Sequence, residues 1–119
     1  MGRPSLEEIK QCETHYILAV KDALNVLSGK WKLPIIASLL KGNKRFKDLE
    51  SNTNKISPRM LSKELKELEL NGIIERQVHN TKPVLIEYHL TDSGYRLSSV
   101  LDAMVQWGLE HRKENMKSE

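Results

Sequence analysis

Apolar residues recur at helical spacing in five stretches of the chain and at alternate positions in one, and the change of period organises it. Tyr16, Ala19, Val20, Ala23, Leu24 and Leu27 predict a helix over 16–27, closed by Ser28-Gly29. Trp31, Ile35, Ile36, Leu39 and Leu40 predict a second over 30–40. Pro34 is tolerated only near a first turn, which places the start of that helix around Trp31 or Lys32. Lys41-Gly42-Asn43 reads as a turn and Lys44–Phe46 as a very short strand. Phe46–Ser51 is a short amphipathic helix with Phe46 and Leu49 inward, followed by the polar break SNTNK. Beyond a well-marked helix over 57–71 the period shifts: IIERQV (73–78) and VLIEYHL (84–90) read as strands joined by the loop HNTKP. Thr91-Asp92-Ser93-Gly94 opens a last helix expected to reach about Arg112, and residues 110–119 form a charged tail expected to fray. Residues 1–11 read as a polar arm with a turn of helix from Ser5, where Ser-Leu-Glu-Glu has the form of a capping box.

The stretch ISPRMLSKELKELELNG (56–72) has both helix ends written in. Ser57 is an N-cap residue whose hydroxyl accepts an otherwise orphaned N–H. Pro58 stands at the first helical position, where its missing N–H costs little. Asn71-Gly72 supplies a left-handed stop. Leu61, Leu65 and Leu68 make one apolar stripe, while Arg59, Ser62, Lys63 and Lys66 fall on another face. That face suits a negatively charged groove; the plainer alternative is a solvated charged surface.

A short helix, a polar turn and a longer basic-faced helix make a helix-turn-helix, and two strands directly after it make a wing. The fold class expected is α+β, mostly helical: a winged helix-turn-helix with a two-stranded wing and N- and C-terminal dimerisation helices. A generic helical hairpin is the alternative that spacing alone leaves open. The organisation expected is one domain over 1–119, with an arm (1–15), the helix-turn-helix (46–71), the wing (73–90) and a dimerisation helix (92–112). In the last helix Leu97, Val100, Leu101, Met104, Val105, Trp107 and Leu109 form a band wider than one buried face needs. Broad apolar surface marks a partner, so Leu97, Val100, Leu101, Met104 and Trp107, with Tyr16 of the N-terminal segment, are the expected homodimer interface. The alternative is a helix folded wholly onto its own core.

At 119 residues, 39% apolar and 29% charged, the chain fits one globular domain. No apolar run approaches the roughly 20 residues that cross a bilayer, and the N-terminus has no signal-peptide pattern. One cysteine excludes an internal disulfide framework, so the expected location is cytoplasmic, with no membrane association. The net charge of +3 is unevenly spread. Residues 1–29 carry three basic against four acidic residues, 30–66 ten against three, and 67–119 six against nine. A basic middle between mildly acidic ends is the electrostatic pattern of a face that meets nucleic acid.

The order and spacing of several pieces resemble the HxlR-type (DUF24) winged-helix transcriptional regulators, relatives of the MarR proteins. The pieces are Gly29-Lys30-Trp31, Arg45-Phe46, Asp48-Leu49, Leu65-Lys66-Glu67-Leu68-Glu69, Gly72, and Glu87-Tyr88-x-Leu90-Thr91-x-x-Gly94. The resemblance runs from Cys12 to Trp107. It implies a cytoplasmic homodimer that binds a pseudo-palindromic operator in double-stranded DNA. It also implies a role for Cys12, since many members have a cysteine in the arm and some sense oxidants or electrophiles with it. Here Glu13 stands where the family commonly has proline after that cysteine, and a plain structural thiol is the alternative.

In that arrangement the 57–71 helix enters a major groove, with Ser57 and Pro58 at its leading end. Arg59 is the expected base contact, because a guanidinium can bond guanine O6 and N7 together. Ser62 and Lys63 lie beside it. Lys66, Lys44 and Lys47 are expected on phosphates, and Arg45 either there or in a structural role. At the wing tip Lys82 meets a phosphate and Asn80 reaches the minor groove.

Catalysis is not expected. The chain has no CxxC, phosphate-binding glycine loop or HExxH, and no cofactor or metal is implied. His79 and His89 could approach across the hairpin, but solvated strand histidines are the commoner outcome. The remaining alternative is a winged helix used as a protein-interaction module, whose recognition face would be acidic or apolar rather than basic.

Overall fold

Among the residues that the computed structural model describes, 5–117, seven helices and one hairpin follow one another. They are α1 (Leu6–Gln11), α2 (Glu13–Leu27), α3 (Lys32–Leu39), α4 (Phe46–Asn52), α5 (Pro58–Leu70), β1 (Ile74–His79), β2 (Leu85–Leu90), α6 (Asp92–Tyr95) and α7 (Ser98–Lys117). Residues 1–4 of the expected arm and 118–119 of the tail lie outside the described residues. The rest of the arm is helical except at Ser5 and at Cys12, where α1 and α2 meet. The Ser5 capping box forms, with the Glu8 N–H donating to Ser5 Oγ at 3.2 Å and the Ser5 N–H to Glu8 Oε2 at 3.2 Å. α2 starts three residues ahead of the expected Tyr16.

The winged-helix order is complete. α3, α4 and α5 pack in a triangle, and β1 and β2 pair antiparallel from Ile74↔Leu90 to His79↔Leu85. The short strand expected at Lys44 is a single bridge to Tyr88, with backbone bonds of 3.0 and 2.7 Å, which ties the wing to the turn before α4. The core is Ile35, Ile36 and Leu39 of α3, Leu49 of α4, Ile56, Leu61, Leu65 and Leu68 of α5, and Ile73, Ile74 and Leu90.

The C-terminal segment departs from expectation twice. It is two helices rather than one, because the chain turns at Arg96–Leu97, where the Leu97 N–H donates to the Gly94 carbonyl at 3.1 Å. The apolar spacing runs through this break and so does not mark it. The charged tail does not fray at Arg112 but continues helical to Lys117, with Trp107 stacked on His111 at 4.7 Å and Gln106 bonded to Glu110 at 2.8 Å.

Thr91 and Gly94 show why the Leu-Thr-x-x-Gly piece has those residues. The Thr91 hydroxyl accepts from the Gly94 N–H and donates to the Gly72 carbonyl, which joins the end of α5 to the start of α6. Gly94 packs so tightly that a Cβ there would lie 2.3 Å from the Ile73 carbonyl oxygen and 2.9 Å from Leu90 Cδ2. Gly94→Ala is therefore expected to destabilise the domain by about 1–3 kcal/mol, the usual cost of overpacking. A urea midpoint unchanged from the parent would refute this.

No residue of α2 is buried, and the Cα radius of gyration is 17.3 Å. A compact single domain of this length would have about 13.5 Å. Only the end of α2, through the partly buried Val26 and Leu27, packs against the core; the rest of α2 and the C-terminal part of α7 stand away from it instead of closing over it.

Candidate nucleic-acid interface

α5 is held by its caps and by its stripe. The Met60 N–H donates to Ser57 Oγ at 3.1 Å, Pro58 is the first helical residue, and Gly72 takes φ +73° just past the Asn71 cap. Leu61, Leu65 and Leu68 are essentially fully buried against α3 and α4, which turns Arg59, Ser62, Lys63 and Lys66 to solvent. The Ser57 hydroxyl is already engaged as a cap, and Pro58 is exposed beside it.

The other expected contacts fall at three places. Lys47 is exposed in the first turn of α4, and Asn80 and Lys82 are exposed in the wing loop, where the Thr81 hydroxyl donates to the Pro83 carbonyl at 2.7 Å. Lys44 is half-buried, its backbone committed to Tyr88 and its ammonium 3.5 Å from the Gly42 carbonyl. Arg45 lies beside Asp48, which accepts from the Arg45 N–H at 3.1 Å and caps α4. Between α5 and the wing runs a groove lined by Ser62, Lys66, Glu69, Arg76 and Tyr88. Arg76, not among the residues expected at this face, lines the groove beside them; register is the signal that finds it, since it pairs with Tyr88 across the hairpin.

A second feature has no sequence signal. The Lys32 ammonium, at the start of α3, is buried and donates to Glu64 Oε2 at 2.6 Å and Glu67 Oε2 at 2.5 Å, both on α5. Burial depresses the ammonium, and its bonds to Glu64 and then Glu67 more than reverse this, leaving its pKa above the ordinary 10.5. The bond from Lys32, outweighing a desolvation that acts the other way, holds Glu67 below the usual 4.5. Glu67 sits at the rim, so solvent screens much of its share. A raised lysine stabilises below its unfolded pKa and loses that as pH rises through the folded value. A depressed carboxylate stabilises above its unfolded pKa and loses that as pH falls through the folded value. Stability from this cluster is thus expected to be level from about pH 5 to 10 and to fall at both ends. The acid-side fall should be shallower in Glu67→Gln; equal slopes in urea midpoints against pH would refute it.

The wing histidines do not meet each other. His79 Nε2 lies 2.8 Å from Glu87 Oε1 and His89 Nε2 lies 3.1 Å from Glu75 Oε2, each with its own carboxylate. Cys12 is half-buried and unpaired in a disulfide, at the junction of α1 and α2 as the N-cap residue of α2.

The apolar residues expected at a partner interface divide. Leu97 and Leu101 turn inward and pack against the domain's own core, because α7 must cover α3 after the turn at Arg96. Each is only partly buried there and keeps some surface exposed. Tyr16, Val100, Met104 and Trp107 are exposed, Trp107 at 65%, and Val100, Ala103, Met104 and Trp107 line an open apolar groove. Among the described residues no helix is long and apolar enough to cross a membrane.

A sequence profile of HxlR-like helix-turn-helix proteins matches residues 26–116. The chain belongs to the HxlR-like helix-turn-helix family. It is 38% identical over 96 residues to an uncharacterised HTH-type transcriptional regulator of Methanothermobacter thermautotrophicus, covering 81% of this chain and 73% of that one. The crystal structure of the regulator YtcD, a protein of Bacillus subtilis, superimposes with a TM-score of 0.76 at 38% identity, covering 79% of this chain and 96% of the other. The redox regulator HypR in its reduced form gives a TM-score of 0.76 at 35% identity, covering 85% and 99%. HypR has also been solved oxidised. Membership makes this chain a transcriptional regulator of the HxlR/MarR type and not an enzyme.

Proposed function

We propose that two copies of this chain form a cytoplasmic homodimer that binds a pseudo-palindromic operator, with α5 of each in a major groove and each wing beside it. The observation that carries the reading is α5 itself. Its leucine stripe is buried, its ends are capped, and the outward face bears Arg59, Ser62, Lys63 and Lys66 with no acidic residue between them on that face. Arg59 reads base edges, Ser62 and Lys63 flank it, and Lys66, Lys47, Lys44 and Lys82 hold phosphates, which sets register without reading sequence. Asn80 at the wing tip reaches the minor groove.

The exposed apolar residues of α2 and α7, Tyr16, Val100, Met104 and Trp107 among them, support pairing with a second copy. A monomer seldom leaves so many large side chains in water. Pairing sets the two α5 helices roughly 34–36 Å apart, one turn of the duplex. Cys12, at a helix junction next to α2, is the redox-sensing residue. Its oxidation to an intersubunit or mixed disulfide changes the angle between subunits and withdraws one α5 from its groove. The likeness to a redox regulator solved in two oxidation states supports this part.

Selection from a randomised duplex library, followed by titration of the enriched duplex across salt concentrations, tests the reading. The expected result is a two-fold symmetric site and a log affinity that falls steeply and linearly with log salt. Failure to enrich any duplex overturns it. Diamide should release the DNA from the parent and leave Cys12→Ser bound; equal release from both would remove Cys12 from the mechanism.

A further inference from the structure

α5 is formally neutral along its length, since Arg59, Lys63 and Lys66 are matched by Glu64, Glu67 and Glu69. Its basic face exists only because of how the helix is rolled about its axis. At about 100° per residue Glu64 and Glu67 lie on one flank, between the leucine stripe and Lys63. Lys32 reaches that flank from α3 and bonds both carboxylates from a buried position, the Glu64 side chain being only 9% exposed. The leucine stripe resists separation of α5 from the core but resists roll only weakly, because apolar contacts are non-directional. Two short charge-assisted bonds on one flank are directional.

We propose that Lys32 is a positioning residue for base reading: its clamp on Glu64 and Glu67 sets the roll of α5, and so decides whether Arg59, Ser62 and Lys63 meet base edges or only phosphates. The proposal rests on the DNA-binding reading above. Side chains reach about 6 Å from a helix axis, so a roll of about 15° moves their ends about 1.5 Å. That displacement breaks a bidentate pair but leaves a lysine within range of a phosphate. Sequence-specific affinity therefore depends on the clamp far more than non-specific affinity does. Buried ion clusters that fix one arrangement at little net gain in stability are a known use of such groups.

The measurement is the ratio of affinities for two duplexes, the one enriched by the parent protein and a scrambled one of equal length and composition. The variants are Glu67→Gln, whose half-exposed site keeps the fold intact, and Lys32→Met/Glu64→Leu/Glu67→Leu, which replaces the whole cluster by apolar side chains. Thermal melting is followed alongside. In both, the ratio is expected to fall at least about fivefold, the lower range for one misread base pair, while the scrambled duplex binds as well as before or better. The Glu67→Asp variant, which keeps the charge, should recover part of the ratio. A merely structural role would weaken both duplexes in proportion to the loss of folded protein, and simple removal of negative charge would strengthen both. An unchanged ratio in folded Glu67→Gln overturns the proposal even if the triple variant does not fold. If the parent enriches no duplex, the DNA-binding reading fails first and takes this proposal with it.

Discussion

Reversing the charge at Arg59 and Lys63 together is expected to weaken binding of the selected duplex by about two to three orders of magnitude at physiological salt. A bidentate arginine–guanine pair carries about 1–3 kcal/mol of discrimination. Each lysine on a phosphate adds the release of about one counterion. Glutamates at these positions also bring two negative charges against the backbone in the same groove. The salt dependence should become shallower by about one for each phosphate that is no longer neutralised. Both side chains are exposed on α5, and among the described residues neither makes a hydrogen bond or ion pair, Lys63 acting on Glu67 only through its charge. The melting curve should therefore stay close to that of the parent, as for surface changes generally. Fluorescence anisotropy with the parent, Arg59→Glu/Lys63→Glu and a control reversal at the exposed Lys41, in the turn after α3, decides it. Unchanged affinity in the α5 double variant would place the interface elsewhere.

The second large effect is expected at the exposed face of α7. Met104 and Trp107 are one helical turn apart and 49% and 65% exposed, and they line the same apolar groove. Placed between two copies, a glutamate at each would have to be desolvated, at several kcal/mol per charge. Met104→Glu/Trp107→Glu should therefore run as a monomer in sedimentation velocity at micromolar concentration, where the parent runs as a dimer. DNA affinity should fall by about 10²–10⁴ with it, because the second half-site is no longer engaged intramolecularly. The core should remain folded, since neither side chain belongs to it. A variant that stays dimeric would show that α7 does not form the interface through this face, and a monomeric parent would remove pairing altogether.

These effects come from residues of very different legibility. α5 is readable almost to the residue, because Ser57, Pro58 and Gly72 act on their own backbone and the leucine stripe has a period. The wing is nearly as plain, its first strand shifted by one residue to Ile74. The break between α6 and α7 is hidden. It is a turn at Arg96–Leu97, where the Leu97 N–H donates to the Gly94 carbonyl, and it leaves the apolar spacing undisturbed. For the same reason Leu97 and Leu101 are indistinguishable from Val100 and Met104 as apolar positions. Only the placement of α7 over α3 separates those that face the core from those left in water.

The amino-acid sequence by itself determined the order of elements, the caps of α5 and the set of basic residues on its outer face. Local backbone chemistry and the 3.6 and 2 periods are properties of neighbouring residues. Only the tertiary structure decided that Lys32 reaches across from α3 to Glu64 and Glu67. An ion pair more than thirty positions apart has no periodic signature, and its geometry exists only once the two helices are packed.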